Sequence, residues 1–156
     1  MTKYDLVKAH CDIPCKVYDP YIAQYSAISV VRLLDLILEI PEAVSKSDQA
    51  KLIRLVLQKE EHAHKVKLEV ATIWGDYFKD PQIEAFPEIH ELTHSIMMTA
   101  SKCKQDILRE NGLELIEKVN EFAKIFWASK NIETHTITSP NPCLLYTSDA
   151  ADDSPS

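Results

Sequence analysis

The sequence predicts an all-α protein, an antiparallel up-and-down four-helix bundle, on three observations. Apolar residues recur at three- and four-residue spacing in four separate stretches, the period of a helix with one buried face. The joins between these stretches are mostly short, which sets successive helices side by side and antiparallel. Only 2 of the 156 residues are glycine, whereas tight hairpin turns ask for glycine or Asn-Gly.

The elements follow in chain order. Residues 1–9 carry no apolar core of the kind a secretory signal needs. Asp19-Pro20 opens the first helix, with Pro20 suited to a first turn, where no N–H is needed. Its stripe is Ala23, Ala27, Val30, Val31, Leu34, Ile37 and Leu38, and Pro41 stops it just past Ile40. Ser45 or Ser47 caps the second helix, which runs to about Phe78 before Asp80-Pro81. Leu52, Val56, Ala63, Val66, Val70, Ile73 and Tyr77 form its apolar face. The third follows Pro87 with Ile89, Leu92, Ile96, Ala100, Cys103 and Ile107, and Gly112 is its expected C-terminal stop. The fourth carries Leu115, Ile116, Val119, Phe122, Ala123 and Phe126 to about Lys130. The bundle thus spans residues 19–135.

The last stretch reads differently. From Ser139-Pro140 onward there is no amphipathic period, and the string Leu144-Leu145-Tyr146-Thr147-Ser148-Asp149 through Asp153 is similar to the translated adapter tail found on some truncated environmental reads. Residues 136–156 are therefore expected to be foreign to the fold or disordered, and Cys143 carries no functional reading.

Composition excludes several classes. With 46% apolar and 26% charged residues, the chain is neither collagen-like nor disordered. No run approaches the roughly 18 consecutive apolar residues of a membrane span, so no membrane partner is expected. The balance of 17 basic against 24 acidic residues gives a net charge of -7. That balance offers no basic stripe to a phosphate backbone, and nucleic acid is not expected as a partner.

Two constellations could carry chemistry. Glu61…His64 and Glu91…His94 each spell Glu-x-x-His, the spacing that helps build di-iron sites inside ferritin-like bundles. At roughly 100° per residue, Glu61 lies about 170° and His64 about 130° from the Ala63/Val66/Val70 face. Glu91 and His94 fall more than about 140° from the third helix's stripe. Both pairs are expected to face outward, away from any interior metal. The other constellation is His10-Cys11-Asp12-Ile13-Pro14-Cys15. Two thiols beside a histidine suit a transition-metal site, a redox dithiol or no role at all, and spacing alone leaves the three open. Cys103 falls on a core position, where cysteine is commonly a small hydrophobe.

The run His10-Cys11-Asp12-Ile13-Pro14-Cys15-Lys16-Val17-Tyr18 closely resembles the nickel hook of nickel-containing superoxide dismutases, whose pattern is His-Cys-Asp-x-Pro-Cys-x-x-Tyr. The resemblance continues through Ile73-Trp74-Gly75-Asp76-Tyr77-Phe78-Lys79, Phe86-Pro87-Glu88-Ile89-His90-Glu91-Leu92 and Ile125-Phe126-Trp127, so it covers roughly residues 10–130. It implies a four-helix bundle with an N-terminal metal-binding hook at residues 10–18, assembled as a homohexamer with one nickel per subunit. It also implies a leader, residues 1–9, cut by a processing protease just before His10.

The resemblance further implies roles for the hook residues. Cys11 and Cys15 are thiolate ligands, the Cys11 backbone nitrogen is the third donor and the His10 α-amine the fourth. The His10 imidazole is axial in the oxidised state. Anionic thiolates and a deprotonated amide stabilise Ni(III), and a planar N,S set suits Ni(II). Pro14 stiffens the turn, Asp12 helps hold the loop, and Tyr18 sits over the open face to position substrate. Lys16, standing where glycine is common, places a positive charge that attracts anionic superoxide. The implied function is a cytoplasmic superoxide dismutase that makes dioxygen and hydrogen peroxide. Two departures stand out: many members place a carboxylate and an arginine behind the axial imidazole, and those positions here hold Ser26 and His62. Rival readings are a helical bundle that binds nickel or copper without turnover, and a dithiol redox protein using Cys11 and Cys15.

Overall fold

The computed structural model describes residues 17–42, 44–139 and 144–149. Among them are four long helices, one short one and a two-stranded ribbon. These are α1 (Tyr21–Leu38), α2 (Lys46–Asp76), α3 (Asp80–Ala85), α4 (Ile89–Gln105), α5 (Arg109–Ala128), β1 (Thr134–Thr138) and β2 (Leu145–Asp149). The long helices pack in the ring order α1, α2, α4, α5, with α5 closing back on α1. This is the expected four-helix bundle.

The core sits where the periodicity puts it. Ala23, Ala27, Val30, Val31 and Leu34 of α1 meet Ala63, Val66, Val70 and Ile73 of α2, Ile96 and Ala100 of α4, and Leu115, Val119, Phe122 and Phe126 of α5. Leu38 departs from its stripe and is 53% exposed at the end of α1. By length and composition α1 is long and apolar enough to cross a membrane, contrary to the expectation that no run is. Half of it is buried inside the bundle, which accounts for its apolar character. Ser45 is the cap of α2: its Oγ accepts from the Asp48 N–H at 3.1 Å, while the Ser45 N–H donates to Asp48 Oδ2 at 3.0 Å. The reciprocal pair satisfies two otherwise orphaned donors.

The α4–α5 region corrects the sequence reading. Helix α4 ends at Gln105, Ile107 is 45% exposed, and Gly112 lies buried inside α5 rather than ending α4. A Cβ at Gly112 would stand 2.8 Å from Val31 Cγ2 and 3.0 Å from Leu34 Cδ1, so the glycine permits close approach of α5 to α1. What ends α4 is a lysine from another helix. Lys59 of α2, 2% exposed, donates to the carbonyls of Cys103 (2.6 Å), Asp106 (2.8 Å) and Lys104 (2.9 Å). The ammonium takes up carbonyls that the helix end leaves without partners, at the negative end of its dipole.

Two further differences concern elements the sequence reading lacks. Helix α3 has six residues with Pro81 in its first turn, too short to show a periodic stripe. The tail from residue 136, expected to be foreign to the fold or disordered, contains part of β1 and all of β2. Thr134 pairs with Asp149 and Thr138 with Leu145, antiparallel, so the expected boundary falls inside β1. Side chains hold the ribbon to the bundle: Gln24 Nε2 donates to the Thr147 carbonyl at 2.7 Å, and Asn120 Nδ2 to the Leu145 carbonyl at 2.9 Å. The turn into the ribbon uses Asn131 at φ 58° in place of a glycine, a conformation asparagine tolerates.

Candidate metal centre

His10, Cys11, Asp12, Cys15 and Lys16 lie outside the described residues, as do the expected leader, residues 1–9, and Cys143. Tyr18, the last residue of the expected hook, is described and packs against the bundle. Its ring is half-buried and packs on Tyr77 at the end of α2, with centroids 5.9 Å apart. Tyr77 in turn touches Phe126 (4.8 Å) and Phe78 (5.2 Å), and its hydroxyl lies 2.7 Å from Ser129 Oγ. Lys130 Nζ sits 4.7 Å above the Tyr77 ring, a cation held against its negative face. Just beyond Tyr18, Asp19 Oδ1 accepts from the Tyr21 N–H at 2.8 Å and Pro20 is buried. The chain leaving the hook is thus fixed at once by an aromatic cluster and a helix start.

Of the two departure positions, Ser26 is buried and His62 half-buried. Ser26 on α1 is fully buried, and its Oγ has no hydrogen-bond partner among the described residues. His62 on α2 has a buried Nδ1, likewise without one, and its ring packs edge-on to Tyr25 with centroids 6.2 Å apart. Burial lowers the His62 pKa and Lys65 lowers it further, against the opposite pull of Glu61. An unpartnered buried polar atom costs free energy. Two of them near the first turns of α1 and the middle of α2 are polar groups awaiting a partner.

The other candidates are placed elsewhere. Glu61, His64, Glu91 and His94 are all exposed, as their angular positions require. Cys103 is fully buried, and burial pushes its thiol up to about 11, so it stays a protonated core group. Among the described residues no group of three or more His, Cys, Asp or Glu side chains converges as a metal site. The segments Ile73–Lys79 and Phe86–Leu92 are brought together by Trp74, whose Nε1 donates to His90 Nδ1 at 3.0 Å.

Residues 5–130 match the family model of nickel-containing superoxide dismutase. The chain belongs to that family. It is 34% identical over 124 residues to the nickel superoxide dismutase of Streptomyces seoulensis, covering 80% of this chain and 90% of that one. The enzyme of Streptomyces coelicolor is 33% identical over the same length and shares. The native nickel superoxide dismutase structure superposes with a TM-score of 0.71 at 32% identity, over 78% of this chain and 99% of that one. A structure with nickel ligation corresponding to the oxidised state gives the same four values. The family match ends at residue 130, short of the ribbon.

This is a nickel superoxide dismutase family chain, with nickel as its cofactor. Sequence reasoning missed Tyr77 as the packing partner of Tyr18 and Lys59 as the lock between α2 and α4. Lys59 precedes Ala63 by four residues and Val66 by seven, a periodic signal that it lies on the buried face.

Proposed function

We propose that this chain disproportionates superoxide to dioxygen and hydrogen peroxide with one nickel ion per subunit, held by His10, Cys11 and Cys15. The family match over residues 5–130 carries the activity, and the His-Cys-Asp-x-Pro-Cys-x-x-Tyr motif carries the ligand assignment. The donor set fits the metal: two soft thiolates and two nitrogens suit a square-planar ion. Ser26 Oγ and His62 Nδ1, which have no hydrogen-bond partner among the described residues, are suited to orient the hook from the bundle side.

When bound, nickel supplies a one-electron couple that takes an electron from one superoxide and returns it to a second. The chain's own residues do the rest. Tyr18, backed by Tyr77, holds a phenol where the hook meets the bundle and offers an O–H donor to an anionic substrate. Lys16 adds a positive charge beside the site in a chain whose net charge of -7 repels superoxide. Asp12 holds the loop. Assembly as a homohexamer lets neighbouring subunits support a hook that has no core of its own, and a protease in the cytoplasm removes residues 1–9.

The test is the position of the amine. In the uncut chain the His10 nitrogen is a peptide nitrogen and a poor donor. A chain beginning at His10 has a free amine that closes two fused chelate rings with the Cys11 nitrogen and sulfur. Three forms, uncut, beginning Ala9-His10 and beginning His10, are loaded with nickel and followed by superoxide decay. Activity only in the His10 form, lost in Cys11→Ser and Cys15→Ser, supports the assignment. Equal activity in the Ala9-His10 and His10 forms overturns it. Bound metal without turnover favours a store, and a reversible dithiol without metal favours a redox protein.

A further inference from the structure

Helix α4 opens with a motif that the nickel site does not use. His90-Glu91-Leu92-Thr93-His94 spells His-Glu-x-x-His at the start of that helix. Residues four apart on a helix lie one turn apart on one face, so His90 and His94 present two imidazoles side by side. Helical zinc sites obtain two of their ligands by this spacing. Both side chains are exposed, which leaves them open to an ion from solution.

One contact fixes the state of the first imidazole. Trp74 Nε1 of α2 donates to His90 Nδ1 at 3.0 Å, with the two rings edge-on and their centroids 5.7 Å apart. A ring nitrogen that accepts an N–H carries no proton, so His90 holds a lone pair at Nδ1. An indole N–H and a metal ion compete for that lone pair, since only one of them can take it. His94 takes part in no ion pair among the described residues, and its exposed ring can turn toward the same point. Glu88, at the N-cap, and Glu91, between the histidines, are exposed carboxylates beside the pair. They offset the positive end of the α4 dipole, which by itself repels a cation.

We propose that His90 and His94 form an auxiliary surface site for a late first-row divalent ion, with Cu2+ bound more tightly than Ni2+. Imidazole nitrogens suit both ions, and affinity for a given donor set rises along the series to copper. The ion takes the His90 Nδ1 lone pair in place of the Trp74 N–H, which then turns to water. His94 supplies the second nitrogen, and water fills the remaining positions. A catalytic zinc centre needs three protein ligands and an open position. Among the described residues no third His, Cys, Asp or Glu joins this pair, so the site holds an ion without assembling a hydrolytic centre. Its ligands are separate from His10, Cys11 and Cys15, and it does not rest on their assignment.

The experiment uses the full-length chain carrying Cys11→Ser and Cys15→Ser, so that the hook thiols neither bind nor reduce the added metal. Cu2+ alone is titrated at neutral pH and followed by equilibrium dialysis and by tryptophan fluorescence. One ion per chain is expected to bind and to quench Trp74, whose ring lies against His90. His90→Ala and His94→Ala should each weaken binding about tenfold or more, because the second imidazole of a pair acts at high effective concentration. Both positions are exposed, so helicity by circular dichroism stays at the level of the parent chain. Trp74→Phe removes the competing N–H and should tighten binding severalfold by dialysis. His64→Ala is the control and should leave the affinity unchanged. Unchanged affinity in either the His90 or the His94 variant overturns the proposal. So does an equal loss in His64→Ala, which would mean diffuse binding to surface imidazoles, or weaker binding in Trp74→Phe.

Discussion

Replacing Lys59 by methionine tests how much of the bundle's stability rests on one buried ammonium. The methylene stem and its packing are kept, so the change isolates the charged head. Three carbonyls lose their donor, but unequally. The bond to the Cys103 carbonyl is buried, whereas those to Lys104 and Asp106 are only partly so. An orphaned buried carbonyl costs about 1–3 kcal/mol, and the two others recover part of their loss from water. Loss of a cation at a helix C-terminus adds about 0.3–1 kcal/mol. Relief from desolvating the ammonium, which lowers the Lys59 pKa in the folded chain, offsets some of this. The expected net loss is about 2–4 kcal/mol, or about 5–15 °C in the melting temperature of a chain of this length. Urea unfolding of the metal-free chain followed by circular dichroism measures it. Lys102→Met is the control: Lys102 lies in the same last turn, is exposed, and supplies charge without these bonds. It should cost less than about 0.5 kcal/mol. If Lys59→Met and Lys102→Met cost the same, the bonds to the carbonyls contribute nothing and the reasoning fails.

Gly112→Ala should destabilise by about 1 kcal/mol. The helix gains about that much from alanine, but a Cβ 2.8 Å from the stiff Val31 side chain forces a larger shift in the core. A double-mutant cycle with Val31→Ala, read by urea midpoints, should show favourable coupling, and additive effects would refute the clash. Acid should weaken the metal-free fold partly through His62. Its pKa is lowered by burial, so below about pH 6.5 the unfolded chain binds a proton that the folded chain resists. Stability then falls as the pH drops through that value and is flat above it. His62→Gln should lose less between pH 7.5 and 5.5 than wild type, and an identical pH dependence would show that His62 is not the group responsible.

The bundle was legible because burial of one face is written in the spacing of apolar residues, and α1, α2 and α5 follow their stripes. What the spacing does not contain is the partner of a polar group. Lys59 reads as one more solvated lysine unless its place on the Ala63/Val66 face is weighed, and its acceptors lie 44 to 47 residues away. Gly112 reads as a stop because glycine commonly ends helices, yet it belongs to the periodic series continued by Leu115, Val119 and Phe122. The ribbon is written in side-chain bonds from Gln24 and Asn120, which no local pattern reveals. At the hook, spacing allowed a metal, a dithiol or nothing. The longer motif, ending at a tyrosine that packs against the bundle, is what favours the metal reading proposed above.

That tyrosine also sets a length. Tyr18 is fixed against Tyr77, and Cys15 is three residues before it. A chain advances at most about 3.3–3.6 Å per residue, so the Cys15 Cα is confined within about 11 Å of the Tyr18 Cα. Two inserted residues would raise that radius to about 18 Å and the accessible volume about fivefold. The effective concentration of the Cys15 thiolate at any point inside it would fall by a similar factor. Under the proposed ligand assignment, the short run between Cys15 and Tyr18 acts as a concentrating tether for the Cys15 sulfur before any bond to nickel forms.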